Sequence, residues 1–382
     1  MFEHVRILGA GRTRFSSDSG RTVLDLALEA VTAACADAGV PLREIDGACT
    51  FGLNDTIRSV ALLNAIGSPE VRWLCDLYGG GTVCLSTIAL AALAIESGLV
   101  EYVAVFRALN GRSGRRLGGR GSIPEASGER QFTVPVGWTT YGQVIGMMAR
   151  RHMEIYGTTS EQLGAVAVSA RQWAILNDWA MMKTPMSLAD HHASPLIADP
   201  LRLLDYCLES DAGYAFILGR GGSSVRSSRE IRIEALATGG GPMPGPDDWG
   251  HFQWLEHSES CAPFLRTRLQ RRGFSPGDAD VVCLFDAFTF GVVIQLEGFG
   301  FCERGAGGEF AASGALAPGG ARPVNTHGGL LSEGYAHGFN HLFEAVAQLR
   351  GECGGRQLRR AELAFVGAGA TTSGGAVMLS RP

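Results

Sequence analysis

Short apolar runs bounded by glycine alternate with helical patterns along most of the chain. A short run reads as a buried strand, and apolar positions recurring every three to four residues read as a helix. Val5–Gly9 is predicted as a strand and Val23–Gly39 as an alanine-rich helix ending on glycine. A strand at Gly47–Phe51 and a helix around Ile57–Gly67 follow, then a strand at Val71–Leu77, an apolar helix over Thr82–Gly98 and a strand at Tyr102–Phe106. The last third repeats the scheme, with strands at Ile231–Leu236, Asp280–Phe285, Pro323–Asn325, Leu363–Gly367 and Ala376–Leu379. Its helices are expected at Ala262–Arg272, Phe290–Gly300 and Phe339–Arg350. Such alternation predicts an α/β fold with a buried, mixed sheet.

The two outer thirds also align with each other. Gly39 stands seven residues before Asp46, and Gly273 seven before Asp280; beyond each Asp, Cys49 and Phe51 match Cys283 and Phe285 in register. This duplication predicts two similar halves around a pseudo-twofold axis. The boundaries fall at 1–111, 112–225 and 226–382. The middle segment, rich in Gly, Arg, Met and His, shows helical patterns at Gln143–Tyr156 and Glu161–Asn177 and little strand signal. It is expected to be an inserted loop domain that covers a site.

Composition narrows the function. The chain has 382 residues, 46% hydrophobic and 19% charged, with 53 glycines and a net charge of −5. That balance disfavours nucleic acid and anionic membranes as main partners. Nine cysteines without a C-x-x-C pair argue against a disulfide framework and a tetrathiolate zinc site. The N-terminus lacks a signal-peptide pattern, and the longest apolar stretch, Thr82–Ile95, is too short to span a bilayer. A cytoplasmic protein is expected.

Several motifs invite chemistry. Gly9-Ala-Gly11 follows a strand, but Arg14 stands where a dinucleotide fingerprint needs its third glycine, and no G-x-S-x-G elbow occurs. His191-His192 is expected at the surface. Gly79-Gly80-Gly81 opens the long apolar helix, where backbone amides could face an anion or a thioester oxygen. Cys84 lies in that helix's first turn, where the helix dipole would lower a thiol pKa, but a small-residue helix favours the other reading, a buried structural Cys used as a compact hydrophobe. Four arginines among the glycines of Gly111–Arg120 could fork onto phosphates or form a solvated loop. The densest stretch, Asn325–Gly338, crowds two His, a Tyr, a Ser, a Glu and four Gly before a helix. Polar groups on a glycine-rich strand-to-helix turn are how α/β proteins present catalytic side chains.

At Gly80–Gly98, Phe285–Thr289, Asn325–Gly329, Gln348–Gly351 and Gly367-Ala-Gly369 the chain resembles the thiolase superfamily, in its sterol-carrier/lipid-transfer-protein thiolase-like branch. The resemblance covers essentially the whole chain. It implies two βαβαβαββ halves in five αβαβα layers, with an inserted loop domain. The residues at the four thiolase catalytic positions all differ. Gly81 stands at the nucleophilic cysteine, Phe285 at the Asn or His, Tyr335 at the His of the Gly-His-Pro motif, and Gly367 at the second cysteine. This pattern is similar to the thiolase-fold retro-aldolases of bacterial steroid side-chain breakdown, which cleave β-hydroxyacyl-CoA thioesters without a covalent intermediate. Those enzymes resemble one another in a tyrosine where this chain has Phe285.

The resemblance makes Tyr335 the expected base, with His337 or the loop-domain Tyr141 assisting, and with its pKa lowered by neighbouring donors. His337 and His327 are expected to tune it or relay the proton. Gly81, Phe285, His327 and Gly369 are expected at the substrate, and no metal or cofactor in this chain. A homodimer joined at the strand near Tyr102–Phe106 is implied, as is a small accessory partner with an OB-fold and often a zinc ribbon, or a hydratase-fused domain. A thiolase-like acyltransferase using Cys84 and a non-catalytic carrier or scaffolding subunit are the competing readings.

Overall fold

The computed structural model describes residues 2–114, 116, 126–222, 229–240, 261–371 and 373–381. The first half runs β1 (Val5–Arg12), α1 (Val23–Ala38), β2 (Gly47–Gly52), α2 (Ser59–Ile66), β3 (Trp73–Tyr78), α3 (Cys84–Glu96) and β4 (Val103–Asn110). The insertion then supplies α4 (Tyr141–Tyr156), α5 (Ser160–Ile175), α6 (Leu188–Ala193) and the short pair β5 (Leu196–Ala198) and β6 (Leu201–Arg202). β7 (Asp211–Arg220) returns to the main sheet between β4 and β1. The insertion expected to end at 225 therefore contains a strand of the first half. That strand is buried on both faces and carries no alternation, so it reads as a bare apolar run.

The second half comprises β8 (Ile231–Gly240), α7 (Ala262–Gln270), β9 (Val281–Leu284), α8 (Thr289–Gly298), α9 (Gly307–Ala312), α10 (Gly329–Ser332), α11 (Phe339–Arg350), β10 (Leu363–Ala368) and β11 (Ser373–Ser380). The nine-stranded sheet has the order β3-β2-β4-β7-β1-β8-β11-β10-β9. Read outward from the β1–β8 junction, where Ile7 pairs with Ile231, the two sides repeat each other. The predicted strand at 323–325 contracts to a single parallel bridge, Val282 to Val324, beside β9 in the place β3 holds beside β2.

The duplication extends to side chains. Asp46 accepts the N–H groups of Glu101 and Tyr102, and Asp280 those of Glu362 and Leu363. Each aspartate fixes the entry to the strand beside its own. Three apolar cores hold the layers together. One fills the space between α1, α2 and the first half's sheet, and another lies under α7 and α8. The largest holds residues of α3 and α11 between the halves.

Local sequence explains the edges of these layers. The Thr22 hydroxyl caps α1 by accepting from Asp25 N–H at 3.1 Å, and Gly39 ends it at φ 69°. The Gly9-x-Gly11 pair is a packing device: a Cβ at either position would lie 2.2 Å from a carbonyl oxygen of α1. β4 lies inside the sheet between β2 and β7, so the strand near Tyr102–Phe106 cannot be the dimer edge. The free edge of this half is β3, with Leu74 and Tyr78 exposed and Trp73, Cys75 and Leu77 half-buried. None of the helices of the described residues is long and apolar enough to cross a membrane.

Candidate active site

The glycine-rich turn sits at the centre of the molecule, against the C-terminal ends of β2 and β4 and under the insertion. The insertion is fastened over it by Cys207 N–H to Ala287 C=O, Leu208 N–H to Leu330 C=O and Met181 N–H to Glu333 C=O. Asn177 adds side-chain bonds to the His327 carbonyl at 2.8 Å and to Glu333 at 3.0 Å. Asn325 and His337 hold φ of 53° and 51°, a region L side chains enter at a cost of about 1–3 kcal/mol.

Tyr335 and His337 meet there, with ring centroids 4.4 Å apart. Tyr335 is 6% exposed, its N–H donates to Ser210 Oγ, and its phenol makes no hydrogen bond among the described residues. Burial and the nearby Cys207 push the phenol well above its usual range, and Arg107 opposes them. The expected lowering is therefore reversed, because the ring sits in a core rather than in a shell of donors. Cys207, Asp55 and Tyr141 all lie within electrostatic reach of the phenol. Tyr141 also packs on Phe288, at 6.0 Å between centroids, so the insertion does carry an aromatic group to the site.

His337 Nδ1 lies 3.0 Å from Nη2 and 3.3 Å from Nε of Arg107. Arg107 is fully buried near the end of β4, and its Nη2 bonds Asp55 Oδ2 at 2.5 Å. His337 Nε2 is buried and has no hydrogen-bond partner among the described residues. Burial and the Arg107 charge push the His337 pKa well below 6.5.

The nucleophile position is closed. A Cβ on Gly81 would lie 2.2 Å from Phe285 Cε2 and 3.0 Å from the His337 carbonyl oxygen. Phe285 thus occupies the space a side chain at 81 would need. A Cβ on Gly338 would lie 3.1 Å from Cys84 Sγ, and Cys84 is buried and pushed up to about 12 by desolvation, which overrides the helix terminus. Of the two readings open for Cys84, the structure bears out the buried structural one.

His327 stands apart from Tyr335. Its Nε2 meets His341 Nδ1 at 2.9 Å, and His341 Nε2 lies 3.0 Å from Asp286 Oδ1 without the alignment of a hydrogen bond. Asp286 accepts the N–H of Leu330 at 2.8 Å, and a Cβ on Gly329 would strike it. Glu333 in the same layer is held by Arg12, Asn177 and Asn340. The Gly369 N–H is already committed to Gln295 Oε1 at 3.0 Å. His191, expected at the surface, is buried and bonds Asp205 at 2.8 Å, while His192 stays partly exposed. Of the arginine loop, Arg116 pairs with Glu209, and residues 115 and 117–125 lie outside the described residues.

Arg107 and Asp55 are the residues the sequence reading missed. A charged residue inside the apolar run Val103–Leu109 was the available signal, since a buried guanidinium requires a partner. No group of His, Cys, Asp and Glu among the described residues is placed to hold a metal ion. A cavity of about 540 Å³ lined by Arg266, Glu297, Phe301 and Arg304 opens on the second half, at none of the residues discussed for this site.

A family model described as thiolase C-terminal domain-like matches residues 266–381. The chain is 37% identical to a 17-hydroxy-3-oxo-4-pregnene-20-carboxyl-CoA lyase of Mycobacterium tuberculosis, over 90% of this chain and 91% of the relative. It is 39% identical to a steroid side-chain-cleaving aldolase of Thermomonospora curvata, over 90% of each. The solved structure of an Ltp2-ChsH2(DUF35) aldolase superposes with a TM-score of 0.90 at 36% identity, covering 99% of this chain and 98% of that one.

Proposed function

Because the chain belongs to the thiolase-fold family of steroid side-chain-cleaving aldolases, we propose that it cleaves a β-hydroxyacyl-CoA thioester by a retro-aldol step at Tyr335. The observation that carries this reading is the pairing of Tyr335 and His337 at a site whose nucleophile position is glycine, filled by Phe285. Acyl transfer requires a thiolate in that place, and Cys84 is buried and protonated.

In the proposed reaction the β-hydroxyl proton passes to the Tyr335 phenolate, and the Cα–Cβ bond breaks. The freed electron pair becomes the thioester enolate, and Cα then takes up the proton that Tyr335 received, which restores the phenolate. The products are a ketone and a short acyl-CoA, such as propionyl-CoA or acetyl-CoA, with no net loss of atoms or charge. The raised phenol pKa means that only a small fraction is phenolate at neutral pH. That fraction is intrinsically a strong base, and the rate should follow it. His337 serves beside Tyr335. Gly81 and Phe285 shape the floor of the acyl site; His327 and Gly369 support it through His341 and Gln295.

The substrate class we propose is a CoA thioester of a steroid or bile-acid side chain bearing a tertiary β-hydroxyl. The relatives' names support it, as does the apolar setting of Phe285, Phe288 and Tyr141. A small OB-fold accessory chain is the proposed partner, with any zinc held there, and a homodimer through the free edge of β3 in place of β4. A cytoplasmic location fits this set. The test is mass spectrometry of products from a β-hydroxyacyl-CoA panel, with the accessory chain present. A ketone and a short acyl-CoA in equal amounts are expected. Acyl exchange with free CoA, with no ketone, would overturn the reading in favour of a Cys84 acyltransferase.

A further inference from the structure

Arg107 is a cation enclosed in the sheet, and its directed contacts are few. Nη1 donates to the Ala108 carbonyl at 3.0 Å, Nη2 to Asp55, and Nη2 and Nε both face His337 Nδ1. These contacts span 52 positions to Asp55 and 230 to His337, so the guanidinium joins three segments that are distant in sequence. Asp55 is itself fixed by the Leu53 N–H at 2.9 Å. A guanidinium has donors only. The nitrogen it faces must therefore present a lone pair, and the ring's proton must sit on the other nitrogen. That other nitrogen, Nε2, is buried and has no hydrogen-bond partner among the described residues.

We infer that Arg107, anchored by Asp55, holds His337 as the neutral Nε2–H tautomer and so makes it a hydrogen-bond donor to the oxygen of the reacting thioester, not a proton carrier. His337 is thus the oxyanion donor in the reaction, and Arg107 and Asp55 are positioning residues. The inference rests on the retro-aldol reading for the identity of the oxygen, and on geometry alone for the tautomer. An enolate gathers negative charge on the thioester oxygen as the C–C bond breaks, and a preoriented donor in a dry site stabilises that charge. A proton relay would need the Nδ1 lone pair, which is already engaged. His337 holds a left-handed φ of 51°, and its ring meets the Phe51 ring in an edge-on arrangement with centroids 6.0 Å apart.

The charged and titratable groups around the ring are Arg107 from β4, Asp55 from the loop after β2, Tyr335 on its own turn and Cys84 at the start of α3, with Cys207 and Tyr141 beyond Tyr335. The test uses histidine-¹⁵N-labelled protein in complex with its accessory chain. His337→Gln identifies the resonance and keeps an N–H near Nε2, whereas His337→Ala removes it. The wild type should show a single Nε2–H tautomer that does not titrate across about pH 5–8. His337→Ala should lose about 10²–10³-fold in kcat with KM nearly unchanged, and His337→Gln should recover at least about tenfold of that loss. Arg107→Met should release the ring, adding a second tautomer and an acid limb to the rate profile near pH ~6.5. Should that variant not fold, the wild-type spectrum and the Gln–Ala pair decide. An Nδ1–H tautomer in the wild type, a titrating ring beside intact Arg107, or a folded Gln variant as inactive as Ala would overturn the inference. Lack of any C–C cleavage by the wild type would instead overturn the retro-aldol reading and leave the tautomer to the spectrum.

Discussion

Gly81→Ala tests why the nucleophile position is empty. Gly81 is not in the left-handed region, so its backbone accepts alanine, and lost freedom of the unfolded chain would by itself stabilise the variant by about 0.4–1 kcal/mol. The new Cβ, however, would lie 2.2 Å from Phe285 Cε2 and 2.3 Å from Cζ, far inside contact distance. Phe285 is 6% exposed, its N–H is bound to the Gly367 carbonyl and its ring is in edge contact with His341 at 6.3 Å, so it has little room to turn. Overpacking of this kind costs about 1–3 kcal/mol. Phe285→Ala alone should cost about 3–5 kcal/mol from the cavity it leaves. In the double variant the clash disappears, so it should be no less stable than Phe285→Ala, a favourable coupling of about 1–3 kcal/mol. Urea denaturation of the four proteins measures the cycle. Additive losses, or a neutral Gly81→Ala, would refute the claim that Phe285 fills the place of the missing side chain.

Other outcomes follow from the same geometry. Cys84→Ala should retain most turnover and cost about 1–2 kcal/mol of packing, and iodoacetamide should not inactivate the native enzyme; loss of more than about a hundredfold in rate with the fold intact would contradict this. His327 and His337 are held neutral by burial, with folded pKa values below the unfolded value, so the unfolded chain binds the extra protons as pH falls. Stability should therefore drop below about pH 6.5 by about 1.4 kcal/mol per histidine per pH unit, which thermal melts from about pH 7.5 to 5 would show. A flat profile in that window would mean that the rings take up protons in the native state as readily as in the unfolded chain.

Much of the fold was legible because it depends on short-range pattern and on duplication. The Asp46 and Asp280 pair, read only as a repeat in sequence, turned out to do the same job in both halves. Tyr335 and His337 were legible because a glycine-rich turn carries them together. Arg107 and Asp55 were not, since their roles depend on contacts across the sheet that no periodicity encodes. The direction of the Tyr335 shift was misread, and the buried role of Cys84 prevailed over its place in a helix's first turn, for one physical reason: helix termini and neighbouring donors are visible in sequence, whereas desolvation is not. The dimer edge was misplaced because β4, β2 and β3 leave the sequence order on entering the sheet.

The central claim is that a buried phenol at Tyr335 takes the β-hydroxyl proton in C–C bond cleavage. Its most direct test is the pH dependence of kcat for the wild type and Tyr335→Phe, each with the accessory chain, on a β-hydroxyacyl-CoA that the wild type cleaves. With the phenol pKa raised above about 10, the reactive phenolate grows tenfold per pH unit. The wild-type rate should accordingly climb with a slope near one from about pH 7 to 9, while Tyr335→Phe is about 10²–10⁴-fold slower and has lost that slope. A Tyr335→Phe enzyme within about threefold of wild type, or one that keeps the alkaline rise, would contradict the assignment of the base.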